Sequence, residues 1–275
     1  MKILGINHDM YITSAALIID GKIIAACPEE RLNRDKLTRV FPTNAMNFCL
    51  KKAKLRLDQI DFVANSYNPS VHLKKFHPIY SNSRRFRGDY FYSIPDFLLN
   101  NDRQIKEDSD YSFQKVKLGI KELNIYYITH HLCHAANGFY LSPFNRSAIL
   151  TADSAGEDDS ANFLIGEKNK LKLIKRLKIP HSTGSFYSTF TEFFGYKPEY
   201  DEWKIMALSA YGKKNNQFYK IIKKMVKFKS EGSFELDQSY FKEHISNLPN
   251  FYTDEFVKVL GKQREKGQTF KKKIW

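Results

Sequence analysis

A chain of 275 residues, 42% hydrophobic, 15% aromatic and 27% charged, has an ordinary globular composition and room for one large domain or two smaller ones. No apolar run approaches the ~20 residues that cross a bilayer, and Asn7, His8 and Asp9 interrupt the opening MKILGINHDM before it can read as a signal peptide, so a cytoplasmic protein without a membrane partner is expected. The net charge of +14 admits a polyanion, but the lysines are scattered and the densest basic runs, Arg84, Arg85 and Arg87 against Lys271 to Lys273, lie far apart; this favours a solvated surface or an anionic small substrate over a nucleic-acid footprint.

In chain order, Lys2–Ile6, Ser14–Ile19 and Lys22–Cys27 read as strands, with Asp20-Gly21 as the turn between the last two. Asn7 to Tyr11 is polar enough to be a loop facing a ligand. Thr43 to Leu55 reads as a helix and Phe62 to Ala64 as a short strand. Residues His72 to Arg103 are aromatic and basic with weak periodicity, an excursion from the core. Tyr111 to Leu123 carries Phe113, Val116, Ile120 and Leu123 at helical spacing. Tyr126 to Thr129 is a strand that delivers a cluster of histidines, and helices are expected over Phe186–Phe194, Trp203–Tyr211 and Phe218–Val226. Cys27, Cys49 and Cys133 are odd in number and scattered, which fits a reducing compartment without disulfides.

The opening pattern returns 146 positions later: Ile3-Leu4 matches Ile149-Leu150, Ser14-Ala15 matches Ser160-Ala161, Ile19 matches Ile165 and Lys22 matches Lys168. Thr151 to Glu157 takes the loop position of Asn7 to Asp9. A repeat of this kind predicts two related α/β halves, residues 1–145 and 146–275, with a site in the cleft between them. The final Lys271 to Trp275 reads as a helix in progress without a stop signal, so the second half is expected to be incomplete.

His130 and His134 carry the sharpest chemical signal. Spaced i, i+4, they share one helix face and can grip one metal ion, at the end of a strand, where ligands gather in α/β folds. Asp153 is the natural third ligand; imidazole with carboxylate suits iron, manganese or zinc. A pair of ordinary helix histidines and a turn acid is the plain alternative. His131 and Cys133 point off that face. His8 can serve as a general base at neutral pH or stand as a plain loop histidine. Ser182-Thr183-Gly184-Ser185 ahead of a helix can place N–H groups against a phosphate or act as an N-cap. Lys204, beside Glu202, reads as a phosphate-binding lysine or half of a Lys–Glu pair. No Walker A motif occurs.

These blocks, in this order, resemble the nodulation-protein and cephalosporin type of O-carbamoyltransferase. The resemblance rests on Gly5-Ile6-Asn7-His8-Asp9 with Ser14 to Leu17; on Glu29-Glu30-Arg31-Leu32 with Arg34, Lys36 and Phe41-Pro42; and on His130 to Ala136. It rests further on Thr151 to Glu157, on Ser182 to Tyr187 with Thr191 and Phe194-Gly195-Tyr196, and on Lys204 to Gly212. It implies a duplicated actin-like, sugar-kinase-like ATPase fold related to the tRNA threonylcarbamoyl transferases. It also implies carbamoyl transfer to a hydroxyl of a sugar or other small acceptor, through a carbamoyl adenylate made from carbamoyl phosphate and ATP. In such enzymes a separate C-terminal domain forms the adenylate, and no counterpart of it is found in these 275 residues, so a complementary chain is an expected partner. The resemblance further implies a divalent metal, most often iron, on His130, His134 and Asp153, with another aspartate ligand beyond this chain, and His8 assisting the transfer.

The sequence departs from that pattern where Ser154 and Ala207 replace glycines and at Ser209-Ala210; glycine permits close backbone approaches that Ser and Ala resist. The alternatives are a tRNA threonylcarbamoyl transferase-like protein, which the charge favours, and a non-catalytic remnant or binding subunit.

Overall fold

The computed structural model describes residues 1–8, 12–68, 71, 110–118, 121–212, 217–242 and 250–268. The aromatic-basic stretch His72 to Arg103, the terminal Lys271 to Trp275, and Asp9 to Tyr11 lie outside the described residues. Among those described, two units are distinguished, with the change falling between Pro143 and Phe144.

The first unit begins with β1 (Lys2–Asn7), β2 (Ser14–Ile19) and β3 (Lys22–Pro28). Asp20 and Gly21 join β2 to β3 with both residues at positive φ (48° and 79°), the geometry of a tight hairpin whose twist suits the strands. After β3 come α1 (Glu30–Asn33) and α2 (Thr43–Lys52), then β4 (Phe62–Asn65), β5 (Tyr111–Leu118), β6 (Lys121–Ile128) and α3 (His130–Tyr140). The six strands form one mixed sheet in the order β3-β2-β1-β4-β6-β5. β1, β4 and β6 run parallel and the outer pairings are antiparallel. Its core is Leu4, Leu17, Ile60, Val63 and Leu123 from sheet and turn, against Ala45, Cys49 and Leu50 of α2. Leu4 and Leu17 are fully buried, each contributing roughly 1.5–3 kcal/mol of apolar burial.

The helix expected over Tyr111–Leu123 is instead the hairpin β5–β6. Val116 and Leu123, two helical turns apart by spacing, are directly paired across the strands. A seven-residue interval satisfies both a helix stripe and a hairpin, and sheet pairing on β4 decides the matter.

The second unit opens with β7 (Arg146–Gly156), β8 (Asp159–Glu167) and β9 (Lys170–Lys178), a three-stranded antiparallel sheet. α4 (Thr183–Phe193), α5 (Glu202–Ser209), α6 (Gln217–Lys224), the hairpin β10 (Val226–Phe228) and β11 (Phe234–Leu236), and α7 (Asp254–Leu260) follow. An aromatic core gathers Phe190, Phe193, Phe241, Tyr252 and Phe256 with Met225, Leu236 and Leu260.

The two hairpins pair alike. Leu4 faces Leu17 and, 146 residues on, Leu150 faces Phe163. The β2–β3 ladder breaks between Leu17 and Ile18, skipping Ile24. The β8–β9 ladder breaks at the corresponding Phe163 and Leu164, skipping Ile174. Two expectations need correction. Lys168 does not match Lys22: Lys22 opens β3, whereas Lys168 sits in the turn at φ 54°, because the second hairpin is two residues longer in each arm. Nor is Thr151 to Gly156 a loop; β7 runs through it, with its register broken between Ala152 and Gly156.

Candidate metal and transfer site

Because β1, β4 and β6 are adjacent and parallel, their carboxyl ends lie along one edge of the first sheet. His8 leaves β1 there, and α3 starts there with His130, two strand spacings away, or about 10 Å. This is the edge where open α/β sheets hold ligands.

α3 sorts its histidines by face. His131, Ala135 and Phe139, at i, i+4 and i+8, are its buried residues, so His131 is a core residue. His130 is half-buried and His134 exposed; their Nε2 atoms stand 2.9 Å apart, with ring centroids 4.3 Å apart and planes at 79°. Imidazole nitrogens bind a zinc-like ion at about 2.0–2.1 Å, so two donors this close can reach one ion together, and the donor set fits a metal. Cys133 Sγ lies at the limit of contact with Ile128 O, 4.0 Å.

His8 packs its ring edge-on to Phe41 at 5.0 Å. Its neighbour Asn7 ties the loop together: Nδ2 donates to Ile12 O (2.9 Å) and Oδ1 accepts from Ser66 Oγ (2.7 Å). Ile12 holds φ 57°, a conformation costly for a β-branched residue. The same edge carries buried Asn65, Asn68 and Thr129, with Ser112 Oγ donating to Asn68 Oδ1 at 2.8 Å. The sequence by itself assigns these asparagines no role, although polar residues at and just beyond the end of the apolar β4 are the available signal.

In the second unit Asp153, Ser182, Gly184 and Ser185 come together. Ser182 caps α4, its Oγ accepting from Ser185 N–H (3.1 Å) while donating to the carbonyls of Asp153 (2.9 Å) and Ser154 (2.6 Å). Lys204 is ion-paired with Asp201 at 2.8 Å, which holds that carboxyl below the usual range, and lies 5.4 Å from the Tyr196 and Trp203 ring centres. Glu202 instead accepts from Ser188 Oγ (2.7 Å) and Glu199 N–H (2.6 Å).

The fold and this edge define an α/β protein with a histidine pair poised at strand carboxyl ends. The chain matches the family described as carbamoyltransferase N-terminus over residues 2–269, and it belongs to that family. It is 30% identical over 249 residues to the uncharacterized protein sll1178 of Synechocystis, covering 87% of this chain and 39% of that protein. It is 28% identical over 213 residues to the nodulation protein NolNO of Sinorhizobium fredii, covering 75% of this chain and 28% of that protein. The chain thus spans well under half the length of either relative. Among solved structures, YeaZ from Pseudomonas aeruginosa shares 14% identity at a TM-score of 0.34, over 66% of this chain and 68% of that one. No described helix is long and apolar enough to cross a membrane.

Proposed function

We propose that this chain is the transferring part of an O-carbamoyltransferase that passes a carbamoyl group from carbamoyl adenylate, made from carbamoyl phosphate and ATP, to a hydroxyl of a sugar or similar small acceptor. The observation that carries this reading is the His130–His134 pair, 2.9 Å between Nε2 atoms, in a chain of this family. These histidines would hold a divalent metal, iron before manganese or zinc, with Asp153 as third ligand. When bound, such an ion supplies Lewis-acid polarisation of a phosphoryl or carbamoyl oxygen.

In this reading the acceptor oxygen forms a bond to the carbamoyl carbon. The bond from that carbon to the adenylate oxygen breaks, and AMP leaves with the electron pair. His8, at the same sheet edge as the histidine pair, takes the hydroxyl proton as general base. Phe41 against its ring limits the ways it can turn. Lys204 contributes a cation for phosphate by exchanging the Asp201 carboxylate for a phosphate oxygen. We further propose that the two units are copies of one actin-like plan; the matched ladder breaks at Ile24 and Ile174 support this, since bulges persist within families.

The first test is elemental analysis of the purified chain. Iron, manganese or zinc should be bound by the wild type and lost from His130→Ala with His134→Ala; undiminished metal in that variant rejects the site. With carbamoyl adenylate and a panel of sugars supplied, His8→Ala should lower transfer by about 10²–10⁴-fold. The net charge of +14 favours a tRNA acceptor as the second reading; binding of tRNA that weakens steeply with salt would support it over a free sugar.

A further inference from the structure

We infer that Ser182 and Gly184 are positioning residues that aim the Asp153 carboxylate, not residues that bind phosphate; the inference rests on the metal reading above, in which Asp153 is a ligand.

The need for such a device comes from the strand itself. The register of β7 against β8 shifts between Ala152 and Gly156, so Asp153 and Ser154 lie within an irregular stretch of the ladder. The N-terminus of α4 braces that stretch. Ser182 is fully buried. Its one hydroxyl proton is shared between the carbonyls of Asp153 and Ser154, at 2.9 and 2.6 Å, and its oxygen accepts from Ser185 N–H. Gly184 is pressed onto the same segment: a Cβ built on it would stand 2.4 Å from Ser154 Cα and N and 2.8 Å from Asp153 C. These are backbone atoms, so no flexible side chain can yield, and only glycine permits the approach.

The constraint then passes to the carboxylate. Ser154 N–H donates to Asp153 Oδ1 at 2.6 Å, so fixing the Ser154 backbone fixes the side chain one residue earlier. The same bonds argue against phosphate binding here. Ser182 has spent its donor, Ser185 N–H is spent on Ser182, and Ser185 is itself buried. An incoming phosphate would have to break the contacts that hold the loop. Groups that orient a metal ligand in this way typically alter affinity by about 10–100-fold when lost.

The experiment uses the purified chain with Co²⁺ as probe, read by titration and by its visible absorption bands, which depend on ligand geometry. Ser182→Ala should bind Co²⁺ about 10–100-fold more weakly, with altered band intensity. Ser182→Thr, which keeps donor and acceptor, should restore both. Thr253→Ala is the control. Thr253 caps α7 by accepting from Phe256 N–H, so its loss should lower stability and leave the Co²⁺ spectrum unchanged. If Ser182→Ala does not fold, Ser182→Cys, a weak donor, should fall between wild type and complete loss; wild-type affinity in it overturns the inference. Wild-type affinity and spectrum in folded Ser182→Ala, with His130→Ala and Asp153→Asn both impaired, overturns the inference and leaves the metal reading standing. If instead Co²⁺ binding ignores His130 and Asp153, the metal reading fails, and with it the assignment of Asp153 as the aimed ligand. Hydrogen exchange across residues 150–156 then judges the clamp by itself. Faster exchange in Ser182→Ala but not in Thr253→Ala upholds it, and unchanged exchange removes it as well.

Discussion

Glu29 offers the sharpest stability test. It is 1% exposed, yet its carboxylate is not idle. Oε1 accepts from Asn44 Nδ2 at 2.6 Å and Oε2 from Ala45 N–H at 2.8 Å, while Asn44 N–H lies at a longer 3.4 Å. These donors belong to the first turn of α2, whose preceding residue, Pro42, provides no side-chain cap. A carboxylate from another segment thus satisfies amides that a local Ser or Asp would otherwise satisfy, at the positive end of the helix dipole. In Glu29→Ala two short charge-assisted bonds are lost, each worth about 1.5–3 kcal/mol, and the Ala45 amide is left buried and unpaired. Because such terms are not additive, a total near 3 kcal/mol is expected. At about 2–4 °C per kcal/mol this lowers Tm by about 6–12 °C. Glu29→Gln, which keeps one acceptor but turns an NH₂ toward a donor, should lose about half as much. Urea unfolding followed by circular dichroism measures both. A loss below about 0.5 kcal/mol in Glu29→Ala, the range of a neutral surface change, would show that α2 does not depend on this carboxylate.

His181 Nδ1 accepts from Leu236 N–H at 3.1 Å, which requires that nitrogen to be unprotonated. Burial lowers its pKa from the usual 6.5, partly offset by Glu235, while Lys229 lowers it further. The folded protein therefore binds fewer protons than the unfolded chain as pH falls, so the stability from neutral His181 is complete above about 6.5 and is shed as pH drops toward the lowered value. Wild-type unfolding free energy should thus fall more steeply from pH 7 to 5 than that of His181→Asn, and equal slopes would refute the assignment. Gly195 adopts φ 75°, and a Cβ there would lie 2.5 Å from Arg264 O, so Gly195→Ala should cost about 1–3 kcal/mol; an unchanged melting temperature would contradict this.

Much of the architecture was legible because it follows local rules. Asp20-Gly21 carries the turn chemistry its dihedrals need, the apolar runs on either side pair as the strands they were read to be, and His130 and His134 fall on one helix face by spacing alone. The failures arose where spacing admits two answers or where the partner is distant in sequence. Phe113, Val116, Ile120 and Leu123 suit a helix as well as a hairpin, and pairing with β4 is not written locally. The turn at Lys168-Asn169 lacks the Asp-Gly signal, so the gapless match between the hairpins ran past the point where their pairing agrees. At the candidate site, a Ser-Thr-Gly-Ser run before a helix looks alike whether it receives phosphate or clamps another strand, and the bonds from Ser182 to the carbonyls of residues 153 and 154, nearly thirty positions away, are not written in its spacing. Glu29 is similar: its acidic character was plain, its attachment to α2 was not.

The longer hairpin of the second unit shows what lengthening asks of a sheet. Cross-strand partners share a face, so residues added equally to both arms at the tip leave every pair below them on the side it already occupied. One extra residue in a single arm would instead have shifted the register and turned Leu177, which is buried, toward water. Equality between the arms, rather than length, is what a growing hairpin must conserve, and the skipped isoleucines at 24 and 174 sit at matching places in two hairpins whose ends differ.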